Sequence, residues 1–457
     1  MTRYSGKILL RLVSLSVLFS LSLNAGEARK RAEPRMSYIE NGTIKLGVDL
    51  NAGGAITYLS PANREANLIN SFDWGRQVQM SYYAGPVPFI AGDKAPKEHW
   101  KHLGWNPIQA GDDFAHGSKV LEHRNDGKSL YVKCVPMQWP LDNVPGECIF
   151  ESWLELDGAM VRARCRLTNQ RTDTTQYAAR NQEMPAVYTN GPYHRLMSYT
   201  GDKPFSDGAL THIQKDPAVK FPWSTFVATE NWAALVNDDD WGLGVFQPAC
   251  LQFLGGTAGK MGSGGMHDSP TGYIAPVRRE IIDHNIQHEY SYTLIVGDLK
   301  SIRRYVTEHA QRNKLPSFDF KQDRQGWTYA NASDSGWPIQ GELNVALDKD
   351  DPQLLSPGIF WNAENAPRLI VEAAFKTGES QAHVFFRRHG DKENSAPLPF
   401  DTLPDGEYRK YEIDLSKSPD YRGAMNLLRI DPVAKGSAGQ SVRLRRIYFS
   451  AGDNQKK

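Results

Sequence analysis

After residue 38, hydrophobic and polar positions along most of the chain alternate with period two, the pattern of half-buried strands. GTIKLGVDL (42–50), SLYVKCVPM (129–137), IFESWLEL (149–156), MVRARCRLTN (160–169), WAALVNDDDWGLGVFQP (232–248) and HNIQHEYSYTLIVG (284–297) alternate or carry β-branched residues. NDDDWG marks a hairpin turn between two strands. One stretch changes period. In LKSIRRYVTEHAQRN (299–313), Leu299, Ile302 and Val306 share a helical stripe, and Asp298 stands ready to cap it. KLPSFDF then reads as a linker, and short strands at sandwich-like spacing fill 318–450. The pattern predicts an all-β protein of two units, 36–298 and 318–452, joined by a helix and linker over 299–317.

One segment breaks the simple pattern. NSFDWGRQVQMSYYAGP (70–86) puts Gln77, Gln79, Ser81 and Tyr83 on one strand face and Arg76, Val78, Met80 and Tyr82 on the other. Neither face is plainly core, and neither is the Lys/Glu surface of a solvated strand. With GWNPIQAGDD (104–113), the donors and acceptors Asp73, Arg76, Gln77, Gln79, Tyr83, Asn106 and Gln109 suit sugar hydroxyls, and Trp74 and Trp105 offer stacking surface. The competing reading is a buried amide network that only fixes the fold.

Composition narrows the function classes. The chain has 457 residues, a formal net charge of +1, and 11 Trp and 19 Tyr. That balance provides no general field for nucleic acid or an anionic membrane, and no nucleic-acid motif is present. Residues 1–28 read as an export signal: Arg3 and Lys7 precede an apolar run, and small residues follow at Ala25, Gly26 and Ala28. The expected location is therefore secreted or periplasmic, without a membrane span. Export permits disulfides. Of Cys134, Cys148, Cys165 and Cys250, the better pair is Cys134 and Cys148, which flank a Pro-rich loop. No Cys/His spacing indicates zinc. No cofactor is expected, and DKDDP (348–352) is the one candidate for a structural calcium.

GVDLNAGGAITYLS, a strand ending in LTNQ and late aromatic strands resemble the galactose-mutarotase-like β-supersandwich of secreted bacterial carbohydrate-active proteins. SPGIFWNA, DGEYRKYEIDLS and LLRIDP resemble jelly-roll modules with a galactose-binding-like fold. The resemblance implies a poly- or oligosaccharide partner. It also implies a His and an acid on a concave sheet, which points to REIIDHNIQHEYSY (279–292), with Asp283, His284 and His288. Fold alone leaves the reaction open.

The residues themselves suggest a glycoside hydrolase working with two carboxylates. Glu183, in ARNQEMPAVYTNGPYHR beside Arg180 and Asn181, is the first choice of acid; the structural alternative is a pair with Arg180 or Arg195. Glu230, before the possible platform Trp232, is the second carboxylate, with Asp283 in reserve. The Gly-rich run 255–276 carries His267, Asp268 and Tyr273 and suits a ligand-facing loop. Three alternatives stay open. One is a lyase on an acidic glycan, with Tyr273 or His284 taking the proton. The others are a glycan-binding protein without catalysis and a mutarotase-type isomerase. Arg162, Arg164 and Arg166, alternating along one strand, either meet an acidic sugar or pair with acids on a neighbouring strand.

Overall fold

The structure is a computed structural model that describes residues 31–63, 65–218, 221–312 and 314–451. The expected export signal at 1–28 lies outside the described residues.

Alternation becomes two stacked sheets. One has nine strands; Met160–Asn169 lies at its centre between Cys148–Asp157 and Gln287–Asp298. The other has seven, with Arg180–Asn190 between Thr271–Glu280 and Gln79–Ser81. A three-stranded sheet, Met36–Glu40, Ile44–Asp49 and Ala55–Pro61, completes this unit. Val161, Ala163, Cys165 and Leu167 face the shared core with Met80, Tyr82, Met184, Val187 and Ile274. NDDDWG does form a hairpin, joining Trp232–Val236 to Trp241–Phe246. The single α-helix among the described residues, Leu299–His309, starts where Asp298 accepts a hydrogen bond from the Ser301 amide, 2.9 Å. Its buried Leu299, Ile302, Tyr305 and Val306 pack on Trp232, Ala234, Val236, Phe246 and Ile295.

From Ser317–Asp319 onward the strands form two six-stranded antiparallel sheets around a separate core that holds Trp327, Trp361, Phe375 and Phe386. The all-β sandwich class expected from the sequence is the class observed. Trp327 and Trp361 lie almost wholly inside that core. Trp337 packs against both cores.

The units meet through a buried polar cluster. Arg324 Nη1 bonds Asp283 Oδ2 at 2.6 Å, and Nη2 bonds Asp334 Oδ1 at 2.7 Å. Gln176 donates to both carboxylates, 3.2 and 2.6 Å, and Tyr329 donates to Asp334, 3.0 Å. No helix of the described residues is long and apolar enough to cross a membrane.

All four cysteines are free, buried thiols, so the expected Cys134–Cys148 bridge is corrected. Each is packed as a small apolar residue in the core, Cys134, Cys148 and Cys165 from strands and Cys250 from the loop before Gln252–Ala258. The arginine row pairs with acids: Arg162 with Asp157 at 2.5 Å, Arg164 with Glu289 at 3.6 Å, and Arg166 with Glu151 and Glu289.

Candidate functional site

The seven-stranded sheet has one face on the core and one turned away from it. Glu183, Tyr188, Tyr273 and Trp223 project from the second face. Its shape at Glu183 comes from EMPAV. Glu183 pairs with Val277 and Ser81, but the next pairs are Val187 with Ile274 and Ala186 with Gln79, so an extra residue bulges against both neighbours. Pro185 has no amide hydrogen for a ladder bond, which suits it to the bulge. Bulges re-aim side chains, and this one lies beside the acid.

On the next strands, Trp223 and Tyr273 both pair with Gly256. A Cβ at Gly256 would lie 3.3 Å from the Trp223 ring and 2.5 Å from the Pro222 carbonyl oxygen. Glycine there lets the rings close over the backbone. Trp223 and Tyr273 are 4.8 Å apart by ring centroid, and Tyr273 and Tyr188 are 4.6 Å apart. Tyr273 is wholly buried, whereas Tyr188, Tyr83 and Glu183 remain half-buried.

Tyr273 donates its hydroxyl hydrogen to Glu183 Oε1 at 2.5 Å. Burial pushes the Glu183 carboxyl up, and the hydrogen bond from Tyr273, with the neighbouring Ser81 and Tyr83 hydroxyls, pulls the other way without cancelling it. The phenols of Tyr273 and Tyr83 are pushed well up by burial and by the neighbouring Glu183. They stay protonated and act as donors. A second acid lies beside this face: Asp73, partly exposed on the loop before Gln79–Ser81, with Arg76 Nε 3.0 Å from its Oδ2. The charges of Glu183 and Asp73 both act on Tyr188. Asp73 was expected to bind sugar hydroxyls rather than to act as an acid. Its Trp-Gly-Arg context was the available signal.

Two loops border the face. The Gly-rich segment folds back along residues 67–76: the Ser71 amide donates to Met266 O at 2.6 Å, Asn70 to Asp268 O at 2.9 Å, and Arg76 Nη1 to Ser269 O at 2.7 Å. His267 is exposed on it. On the other side, segment 84–104 carries Trp100, which donates to Asp113 at 2.9 Å and meets Trp139 edge-on at 5.8 Å between ring centroids. Arg180 holds this segment by carbonyl oxygens of Leu103 (2.8 Å), His102 (3.0 Å) and Ala84 (3.4 Å). Asn181 is exposed on the strand next to it. Neither Arg180 nor Arg195 takes Glu183 as an ion pair; Arg195 pairs with Asp240 at 2.6 Å.

The structure separates the other expected site residues from this face. Glu230 is fully buried and held by Arg303 Nη2 at 2.7 Å and Nε at 3.0 Å. It also accepts from Trp232 Nε1 at 3.0 Å and the Phe205 amide at 2.8 Å. It docks the helix and has no lone pair left for proton transfer, and Trp232 lies wholly in that cluster. Asp283 belongs to the Arg324 cluster between the units. His284 Nδ1 meets Arg171 O at 3.3 Å. His288 lies between the sheets, bonded to Tyr82 at 2.9 Å, so the expected His on the working face is corrected. Nearby Glu280 is raised by burial, but Arg278 and His288 outweigh that and hold it down to about 2.

The amide network is structural. Gln77 donates to Ser71 and Asp73 O, Gln79 to Trp74 O at 3.0 Å, Gln109 to Gly53 O at 3.1 Å and Asn106 to Tyr82 O at 2.8 Å. These four amides are buried, as are Trp74 and Trp105, so they do not contact a ligand as expected. Asp112, His116 and Asp142 form the metal-like grouping among the described residues. Asp112 spends its oxygens on the amides of Phe114, His116 and Asn143 and on the His116 ring, closing a turn. In DKDDP, Asp351 accepts from Gln353 at 2.7 Å and Arg429 at 3.2 Å.

No protein-family model and no curated protein matches the chain. Solved structures that align with it include a galactose mutarotase related enzyme from Lactobacillus acidophilus. It has 12% identity, covers 57% of this chain and 97% of its own, and gives a TM-score of 0.32. A galactose mutarotase-like protein from Lactobacillus casei aligns at 11% identity over 57% of this chain and 100% of its own, TM-score 0.33. A 4-alpha-glucanotransferase from Thermococcus litoralis aligns at 11% identity over 59% of this chain and 40% of its own, TM-score 0.31. Two of these three carry the mutarotase name that the sequence resemblance also suggested. At such scores the likenesses carry no argument about activity.

Proposed function

We propose that the outward face of the seven-stranded sheet binds a saccharide and that the protein cleaves a glycosidic bond there, with Glu183 as the general acid. The observation that carries this reading is the Glu183 carboxyl, raised by burial and held by Tyr273 at 2.5 Å among half-buried tyrosines. A carboxyl whose pKa is raised holds its proton to higher pH than an ordinary one and can give it to a leaving-group oxygen. Tyr188 and Tyr83 supply amphipathic ring surface suited to a pyranose. Asp73, beside this face, is the second carboxyl in place of Glu230. Tyr273, its phenol pushed well up, orients Glu183 and does not serve as a base.

The test is hydrolysis of a panel of neutral and acidic polysaccharides by the mature protein, read by reducing ends and by absorbance near 235 nm. Reducing ends without absorbance are expected, with Glu183→Gln slower by roughly 10²–10⁴-fold in kcat. Absorbance rising with the ends makes the reaction an elimination. Undiminished turnover by Glu183→Gln overturns the assignment of the acid.

A further inference from the structure

One cation at the edge of this face lacks a counter-charge. Arg180 is half-buried at the start of Arg180–Asn190, its guanidinium carbon 5.9 Å from the centre of the Tyr83 ring. Tyr83 in turn neighbours Glu183. All its protein acceptors are main-chain carbonyls: Leu103, Ala84 and His102. A guanidinium has five N–H donors, and Nη1 spends both of its own on Leu103 and Ala84 while Nη2 spends one on His102. The Nε–H and one Nη2–H have no protein partner among the described residues. Carbonyls fix the plane of the group without neutralising it.

The surroundings do not supply the missing charge. Lys97 already takes Asp113 at 2.9 Å, and Lys101 takes Glu98 at 2.6 Å. Arg76 takes Asp73 across the face. The acid in register with Arg180 on the next strand, Glu280, is already taken by Arg278 and His288, and Glu183 makes no ion pair with Arg180 among the described residues. Burial pulls Arg180 down, opposed only by Tyr83. On the adjacent strand Arg279, in register with Asn181, donates to Ala179 O at 3.0 Å and also has no carboxylate partner among the described residues. Two guanidiniums without acids therefore stand at one end of the same two strands.

We propose that the saccharide taken by this face is anionic, and that Arg180 receives its carboxylate or sulfate through the N–H groups that the rim carbonyls leave unused. This rests on the reading of the face as a saccharide site. A side-on guanidinium matches a planar carboxylate or a sulfate edge with two parallel hydrogen bonds. A neutral sugar leaves the charge uncompensated. Arg279 extends the positive end toward a second charged residue of a polymer. Arg180 is a specificity-determining residue here, and it also positions the rim.

The experiment measures binding of the full mature protein to an array of neutral, uronate-containing and sulfated oligosaccharides at two salt concentrations. Binding to anionic glycans is expected to weaken with salt, and to fall at least ~10-fold in Arg180→Gln. Arg180→Lys keeps the charge but not the fork, and is expected to lose several-fold while hydrogen exchange over 84–104 stays as in wild type. Arg279→Gln, which leaves the rim contacts alone, checks the positive end independently. Preference for uronates or for sulfates identifies the source of the anion. Equal binding of neutral glycans, or anionic binding indifferent to all three variants, overturns the proposal while sparing the saccharide face. Failure to bind any glycan overturns both.

Discussion

Glu183 carries a stability cost as well as a chemical role. Its folded-state pKa stands above the ordinary 4.5. The folded chain therefore gains from the bound proton at low pH and loses that gain as pH rises through the raised value. Glu183→Gln keeps the shape without the titration. It is expected to be more stable than wild type at pH 7, on the order of 1 kcal/mol, with the difference closing below pH 4.5. Urea melts at the two pH values read this directly. Activity moves in the same direction: the wild-type rate is expected to fall as pH rises through the Glu183 pKa, because the acid loses its proton. Glu280 behaves the other way. Held near 2 by Arg278 and His288, it supports the fold above its ordinary range and releases that support as pH falls toward 2.

At the scale of elements, period-two alternation found the strands because each is wet on one side or packed between layers. Met160–Asn169 is an example, with Val161, Ala163, Cys165 and Leu167 in and the arginines out. The helix was equally legible, from its stripe and its Asp298 cap, although it stops at His309 rather than 313. Partners far along the chain were not legible. Glu230 looked like a catalytic acid until Arg303, 73 residues on, closed on it. Gln77 and Gln79 have the composition of a binding face, and only the fold shows that their amides serve the main chain. The bulge at Glu183 could be suspected from Pro185, but not its register. Since Glu230, fully buried, joins the helix to the sheet through its ion pair with the partly buried Arg303, Arg303→Met is expected to destabilise by about 3–5 kcal/mol. Thermal unfolding checks this, and turnover per folded molecule is expected to stay near wild type.

Across the whole molecule, the contact between the two sandwiches is ionic at its centre. Arg324 is 4% exposed and lies between Asp283 of one unit and Asp334 of its own. Replacing it with Met leaves buried carboxylates without a cation, a loss of about 3–5 kcal/mol. If the two units melt as one cooperative body, calorimetry on Arg324→Met is expected to show one transition splitting into two. A chain shortened after the helix removes the same cation, and Asp283 then has only Gln176 to meet its charge. Toward the first sandwich, the C-terminal one thus behaves as a ligand that never leaves, held at an effective concentration set by the linker. Supplied as separate fragments, the two lose that advantage, and the isolated first unit recovers its native stability only as the second is titrated back.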